Sequence, residues 1–208
     1  MSEVSPPSAK YAFWRAFWRK WRGRGHGSPP RVSLAEIMLS GLGGFIGLLG
    51  VGLCALVFSG LDRLLIIGSI GASAVLVFGA IRSPLAQPRN LMGGHALSAA
   101  VGVSVHLLLV DTLAHAWGAS PVFLGLLSQV IAPALAVGLA ITLMHATRTL
   151  HPPGGATALV AVIGSPQVHA MGYGFVLFPG LIAPLVLLGV ALVFNNLSPK
   201  RAYPEYWW

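Results

Sequence analysis

Six apolar stretches, separated by short polar or Gly/Pro-rich breaks, make up most of the chain, at about residues 34–59, 63–81, 91–114, 121–146, 154–164 and 170–196. A helix rises about 1.5 Å per residue and needs about 20 residues to cross the hydrocarbon core of a bilayer. Four of the stretches meet that length easily, the second barely does, and the fifth does not. Ahead of them, residues 11–22 read YAFWRAFWRKWR, with Trp14, Phe17, Trp18 and Trp21 at helical spacing and Arg15, Arg19 and Arg22 one step behind. That pattern predicts an amphipathic helix in the headgroup layer. A disordered basic tail is the alternative, and aromatics are rare in such tails. GRGHGSPP then reads as a flexible linker.

The pattern therefore predicts an all-α integral membrane protein. A basic, aromatic interfacial segment (1–32) leads into a transmembrane domain (33–197) and an aromatic cytoplasmic tail (198–208). In the tail, Tyr203, Tyr206, Trp207 and Trp208 read as an interfacial anchor.

Composition agrees. The 208 residues are 55% hydrophobic and 9% charged, with a mean hydropathy of +0.78, against about 25% charged in soluble domains. The net charge of +8 is uneven, because Lys10, Arg15, Arg19, Lys20, Arg22, Arg24 and Arg31 all precede the first apolar stretch. A basic tract beside a hydrophobic segment points to anionic lipid and to topology rather than to nucleic acid. It does not read as a secretory signal, because the basic region and the apolar run are both too long. A lone Cys54 excludes an internal disulfide, and no cluster has the spacing of a metal site, so no metal or cofactor is expected.

Charge also orients the segments. With the basic N-terminus in the cytoplasm, Asp62 and Arg63 fall outside, Arg82 and Arg89 inside, Asp111 outside, Arg148 inside, and Lys200 and Arg201 inside. Dropping the fifth stretch would strand Lys200 and Arg201 outside, so the positive-inside rule favours six crossings. Both termini are then cytoplasmic, and a bacterial inner (plasma) membrane is the expected location.

A repeated phrase divides the domain. GASAVLVFGAIRSP begins at Gly71 and GATALVAVIGSP at Gly155, each as the second element of a three-segment half (about 33–115 and 120–197). A half with three crossings ends on the side opposite its start, which makes this an inverted repeat. Each phrase reads as a short broken half-helix beginning near the midplane. The first turn of a helix leaves N–H groups unpaired, and in hydrocarbon an anion can satisfy them. The candidate substrate residues are accordingly Gly71, Ala72 and Ser73 in one copy and Gly154, Gly155, Ala156 and Thr157 in the other, with Pro152 and Pro153 ending the preceding helix and His151 placed to gate or orient the break. A plain kink, with Ser and Thr bonding back to the helix, is the competing reading.

The acidic residues are Glu3, Glu36, Asp62, Asp111 and Glu205, none at mid-depth. A cation pathway normally carries intramembrane carboxylates, so a small anion or a neutral polar solute fits better. His95 and His106 are three helical turns apart on one face, with Ala99 and Gly102 between them; His95 follows a Gly pair and ranks first. His145 lies at the cytoplasmic end of its segment, and His115 and His169 lie at the outer face. Gly43, Gly47 and Gly50 form a close-packing stripe, either intramolecular or in a homo-oligomer.

At HPPGGATAL (151–159) and SPLAQPRNLMGGH (83–95) the chain resembles the HPP family of integral membrane proteins, over about residues 33–197. The resemblance implies about four membrane spans, from which a six-segment reading departs. It also implies a link to nitrite, which chloroplast and cyanobacterial members are connected with transporting. It draws attention to Pro84, Gln87, Pro88, Arg89, Asn90, Gly94 and His95 as well as to His151, Pro152, Pro153, Gly154, Gly155 and Thr157. The expected function is a transporter or channel for a small monovalent anion, nitrite first, with Arg89, Asn90 and His95 added to the substrate residues. Its rivals are a non-transporting scaffold or sensor, a carrier of a small neutral solute, and an enzyme pairing Ser73 or Thr157 with His95.

Overall fold

The computed structural model describes residues 9–21, 32–59, 67–113, 116, 118 and 120–208. Glu3, Arg22, Arg24, Arg31, Asp62, Arg63, His115 and Trp117 lie outside the described residues. Every regular element among the described residues is helical. We number these α1 (Ala9–Trp21), α2 (Leu34–Ser59), α3 (Ile67–Ala74, continued by a π turn Val75–Gly79), α4 (Pro88–Val105, continued by a π turn His106–Leu113), α5 (Pro121–Leu126, a π turn Leu127–Ile131, then Ala132–Ala146), α6 (Pro152–Ile163), α7 (Pro166–Ala170), α8 (Gly174–Leu177) and α9 (Ile182–Asn196).

Among the described residues, four stretches are long and apolar enough to cross a membrane: Leu34–Leu56, Pro88–Thr112, Pro121–Ala146 and Gly174–Asn196. Two shorter apolar helices, Gly68–Gly79 and Pro152–Ile163, fall where the sequence placed its short elements. The count of four matches what the family resemblance implied. The final stretch is not one helix, since residues 178–181 form a turn between α8 and α9.

Proline sets four of the helix starts. Pro88, Pro121, Pro152 and Pro166 each open a helix. At that position the missing N–H would have been unpaired anyway and the fixed φ suits the helix. Helix α5 ends differently. Arg148 adopts the left-handed conformation (φ 57°), Arg148 N–H donates to His145 O at 3.2 Å and Thr149 N–H to Met144 O at 2.9 Å. That is the Schellman pattern, with arginine where glycine usually sits.

These starts correct two expectations. Gly71, Ala72 and Ser73 lie inside α3, whose described part begins at Ile67, so they are not a helix N-terminus. Helix α6 begins at Pro152 with His151 as its N-cap, not at Gly154 or Gly155. Its first two residues have no N–H, and the third, Gly154, donates to His151 O at 2.8 Å. The prolines thus remove the donors that the half-helix picture assigned to an anion.

The chain divides into two compact units, Met1–Ser33 and Leu34–Trp208. The first holds α1, with Phe13, Trp14 and Trp18 exposed; Phe13 meets Trp14 edge-on, and Trp18 meets Phe17 edge-on. In the second, α2 packs on α3 and α9, α5 packs on α4 and α6, and α6 lies against α4 and α3. Gly43 and Gly47 admit Phe78, Leu187 and Phe194 to the backbone of α2, and Gly50 faces Val186 and Val190 of α9, so the glycine stripe is used within the chain. The carbonyls at the end of α3, which no helical N–H reaches, are taken by buried side chains: Asn195 Nδ2 donates to Val77 O (3.0 Å) and Arg201 Nη1 to Phe78 O (3.1 Å).

Candidate functional site

Helices α3, α4 and α6 meet at a buried polar cluster. Ser73, His95 and His151 are fully buried and Thr157 is 1% exposed. Close backbone approach brings them together. A Cβ at Gly154 would lie 2.8 Å from Gly94 O and from Ser98 Oγ, and one at Gly102 2.6 Å from Ala158 O. These glycines let α4 and α6 touch along their length.

Ser73 Oγ lies 2.7 Å from His95 Nε2 and 2.8 Å from His151 Nε2, and it also reaches Ser69 O of its own helix at 3.1 Å. His95 Nδ1 lies 2.7 Å from Thr157 Oγ1, and His151 Nδ1 lies 2.7 Å from Leu85 O. The two imidazole centroids are 5.0 Å apart. The result is one continuous chain of hydrogen bonds, Leu85 O, His151, Ser73, His95, Thr157. It ends at Pro153 O, 3.5 Å from the Thr157 hydroxyl.

The other sequence-predicted residues do different work. Gly154 packs on α4, while Gly155, Ala156 and Pro152 line an apolar groove with Val137, Ile141, Met144, Leu150 and Leu159. Ala72 is exposed, and nothing lies within 4 Å of a Cβ built at Gly71. Arg89 Nη2 donates to Thr147 O (2.9 Å) and Asn90 Nδ2 to Leu150 O (2.8 Å), so both tie the 147–150 linker to the start of α4 and thereby place His151. Of the thirteen predicted residues, the hydrogen-bonded cluster gathers Ser73, His95, His151 and Thr157.

Three features escaped the sequence reading. Leu85 supplies a carbonyl from the 3-10 turn Pro84–Ala86, 66 positions away from His151. That turn is itself held by the C-terminal tail. Tyr203, expected as an interfacial anchor, is 2% exposed, and its hydroxyl donates to Ala86 O at 2.7 Å. Glu205 N–H donates to Gln87 Oε1 at 2.9 Å, and Gln87 Nε2 donates to Ile81 O and Ser83 O. Only the end of the tail, Tyr206 to Trp208, presents exposed aromatics. Finally, His106 stacks on His169 (centroids 3.8 Å, 23° between planes) and lies 3.4 Å from Asp111 Oδ1.

A polar cavity of about 440 Å³ opens beside the same turn, lined by Glu36, Gly79, Ala80, Ile81, Arg82, Ser83, Lys200 and Arg201. Its lining carries three cations against one carboxylate. Among the described residues no group of three or more His, Cys, Asp or Glu could hold a metal ion.

The profile of the family described as HPP, transmembrane region, matches residues 29–204, with the histidine-proline-proline cap of α6 inside it. The chain belongs to the HPP family. Two transmembrane proteins of Dictyostelium discoideum are similar to it, one 43% identical over 92% of this chain, the other 44% identical over 92%. The chain spans 57% and 63% of those relatives' lengths. No solved structure matches. Within this HPP protein, the motif's histidine is the residue that joins α6 to both α3 and the 3-10 turn.

Proposed function

We propose that this HPP-family protein is a membrane transporter or channel for a small monovalent anion, nitrite first, with the His95–Ser73–His151–Thr157 cluster at its centre. The observation that carries the reading is a buried set of imidazoles and hydroxyls, at the meeting point of the two short helices, to which no carboxylate of the described residues is bonded. Imidazole N–H and hydroxyl groups, here paired with one another, are donors that an incoming oxyanion can take over. Among the described residues the acidic groups are Glu36 in the first turn of α2, Asp111 at the far end of α4, and Glu205 in the tail. The cavity with Arg82, Lys200 and Arg201 would raise anion concentration at the cytoplasmic mouth, as would Arg89 and Arg148.

Packing supports the inverted-repeat reading. Exchanging α2, α3 and α4 with α5, α6 and the α8–α9 span preserves the pattern of neighbours: α2 lies on α3 as α5 lies on α6, α2 on α9 as α5 on α4, and α6 on α4 as α3 on α9. Six crossings with both termini in the cytoplasm of a plasma-type membrane, and α1 on anionic lipid, complete the proposal.

The Ser73–His distances also fit a nucleophile and its base, which favours an enzyme as the second reading. Against it, Ser73 is fully buried, and the adjoining start of α6 consists of two prolines, which offer no N–H to an oxyanion. Purified protein in liposomes decides between them. We expect saturable uptake of nitrite at alkaline pH, with competition by nitrate, formate, chloride or bicarbonate ranking the substrates, and loss of uptake in His95→Ala. Absence of uptake of all five anions by folded, reconstituted protein would reject the transporter reading.

A further inference from the structure

We propose that the His95–Ser73–His151 cluster binds one proton and that this proton travels with the transported anion. The inference rests on the transporter reading for its anion and on hydrogen-bond geometry for its proton.

Leu85 O can only accept, so at 2.7 Å His151 Nδ1 carries a hydrogen. A neutral His151 therefore presents a lone pair at Nε2, aimed at Ser73 Oγ. Ser73 has one hydroxyl hydrogen, and two groups that only accept stand ready for it, His151 Nε2 at 2.8 Å and Ser69 O at 3.1 Å. In the neutral cluster the hydrogen goes to His151 Nε2. His95 Nε2–H then donates to Ser73 Oγ, and Thr157 Oγ1–H donates to His95 Nδ1. Every member is satisfied.

Adding one proton also leaves every member satisfied. His151 becomes doubly protonated and its Nε2–H donates to Ser73 Oγ, while the Ser73 hydrogen turns to Ser69 O. If the proton adds instead at His95 Nδ1, the Thr157 hydroxyl accepts from that N–H and turns its own hydrogen to Pro153 O, and the same charge can move. Ser73 gives its hydrogen to His151 Nε2 and takes the one on His95 Nε2, which leaves His95 neutral with its hydrogen on Nδ1. One N–H bond breaks as another forms, the hydroxyl is regenerated, and the positive charge changes rings with no heavy atom displaced. Two imidazoles on one hydroxyl, with a second acceptor beside it in Ser69 O, thus have satisfied arrangements in both charge states. A purely structural hydrogen-bond knot needs only one.

Other charges do not offset that proton. Among the described residues, the charged groups and other histidines on the packed elements are these: on α4, Arg89 bonded to Thr147 O and His106 beside Asp111 and stacked on His169 of α7; His145 and Arg148 at the exposed end of α5; Glu36 facing Arg201 from α2; and Arg82, Lys200 and Glu205 at the turn and tail. None of them shares a hydrogen bond or ion pair with either ring in the cluster. A fully buried imidazolium without a counter-charge is costly. A bound monovalent anion supplies that charge, so proton and anion favour one another and cross as a neutral pair.

The test uses the full chain in liposomes containing a pH-sensitive dye, with a membrane potential set by a potassium gradient and valinomycin, and nitrite added outside at alkaline pH. We expect nitrite uptake to acidify the lumen with one proton per anion, independent of potential and beyond that of protein-free vesicles. Ser73→Ala should lower the proton flux by about tenfold or more, and Ser73→Thr should restore it. Nitrite uptake that follows the potential without moving protons overturns the proton inference and leaves the transporter reading standing. If no anion is transported, the transporter reading fails, and ¹⁵N imidazole resonances of the protein in lipid judge the proton site separately. One shared imidazolium on acidification, absent in Ser73→Ala, supports it, and two rings that stay neutral while the protein is folded overturn it.

Discussion

Ser73 and Thr157 hold opposite nitrogens of a single imidazole. They occupy the same place in the two repeated phrases, GASA and GATA, and their hydroxyls lie 2.7 Å from His95 Nε2 and Nδ1 respectively. The repeat thus delivers one hydroxyl from each short helix to one ring on α4. Their duties are unequal, because Ser73 touches two imidazoles, His95 and His151, whereas Thr157 touches one.

That inequality is measurable. Thr157→Ala leaves one buried imidazole nitrogen without its donor, a loss of about 1–3 kcal/mol. Ser73→Ala deprives two nitrogens at once and should cost more. Thermal unfolding in detergent should rank wild type above Thr157→Ala and Thr157→Ala above Ser73→Ala. Equal, negligible shifts would mean that these hydrogen bonds contribute nothing to the fold.

The C-terminal tail is the second handle on the site. Tyr203 holds Ala86 O, and the adjacent Leu85 O holds His151. Tyr203→Phe strands a buried carbonyl and should destabilise by about 1–3 kcal/mol. Burial also pushes the phenol pKa above its ordinary value. The folded state therefore prefers the protonated phenol: its contribution is complete below the unfolded pKa and falls away as pH rises from there through the folded pKa. Unfolding followed against pH should show an alkaline loss in the wild type that the Phe variant lacks. Parallel curves for the two proteins would remove Tyr203 from this role.

Much of this was legible because local rules govern it. Apolar runs of spanning length and the paired GA-hydroxyl-A phrases locate the long spans, the short helices, and Ser73 and Thr157 in sequence. The helix starts were misplaced for a physical reason. The Pro-Pro pair was read as the end of the preceding helix, whereas in the structure the prolines are the first two residues of α6, and α5 is stopped earlier by Arg148 in the left-handed region. In α3 the apolar residues before Gly71 are as good at forming helix as those after it, so nothing local marked a start. The Leu85–His151, Ala86–Tyr203 and His106–His169 pairings join residues far apart in sequence, and no periodicity announces them.

Topology follows from the proposed six crossings. With Cys54 replaced by serine, single cysteines at Ser120 and Ser198 should react with an impermeant thiol reagent from opposite sides of the membrane. Labelling of both from one side would dismantle the inverted repeat.

Arg148 carries a strain that glycine would not. A non-glycine residue in the left-handed region costs about 1–2 kcal/mol, and its φ is 57° at the C′ position of α5. Arg148→Gly should therefore raise the melting temperature, by an amount equivalent to about 1 kcal/mol. It also removes a cation from the proposed cytoplasmic mouth, so initial anion uptake should slow at low salt and converge on the wild-type rate at high salt. A less stable Gly variant would mean that the arginine side chain makes compensating contacts worth more than the backbone strain.

The two glycines of HPPGG separate packing from ligand binding. A Cβ at Gly154 meets Gly94 O and Ser98 Oγ at 2.8 Å, while one at Gly155 meets only Val137 Cγ1, at an ordinary 3.8 Å. Overpacking a close helix contact costs about 1–3 kcal/mol, whereas alanine in place of an unobstructed helical glycine gains about 0.5–1 kcal/mol. Gly154→Ala should thus push α6 off α4, weaken the Thr157–His95 hydrogen bond and reduce both stability and uptake. Gly155→Ala should leave uptake intact in a protein at least as stable as wild type. Had the anion rested on the backbone of this glycine pair, the added methyl at residue 155 would block it. A folded, stable Gly155→Ala protein that no longer takes up nitrite would return the binding site to the start of α6 and take it away from the histidine cluster.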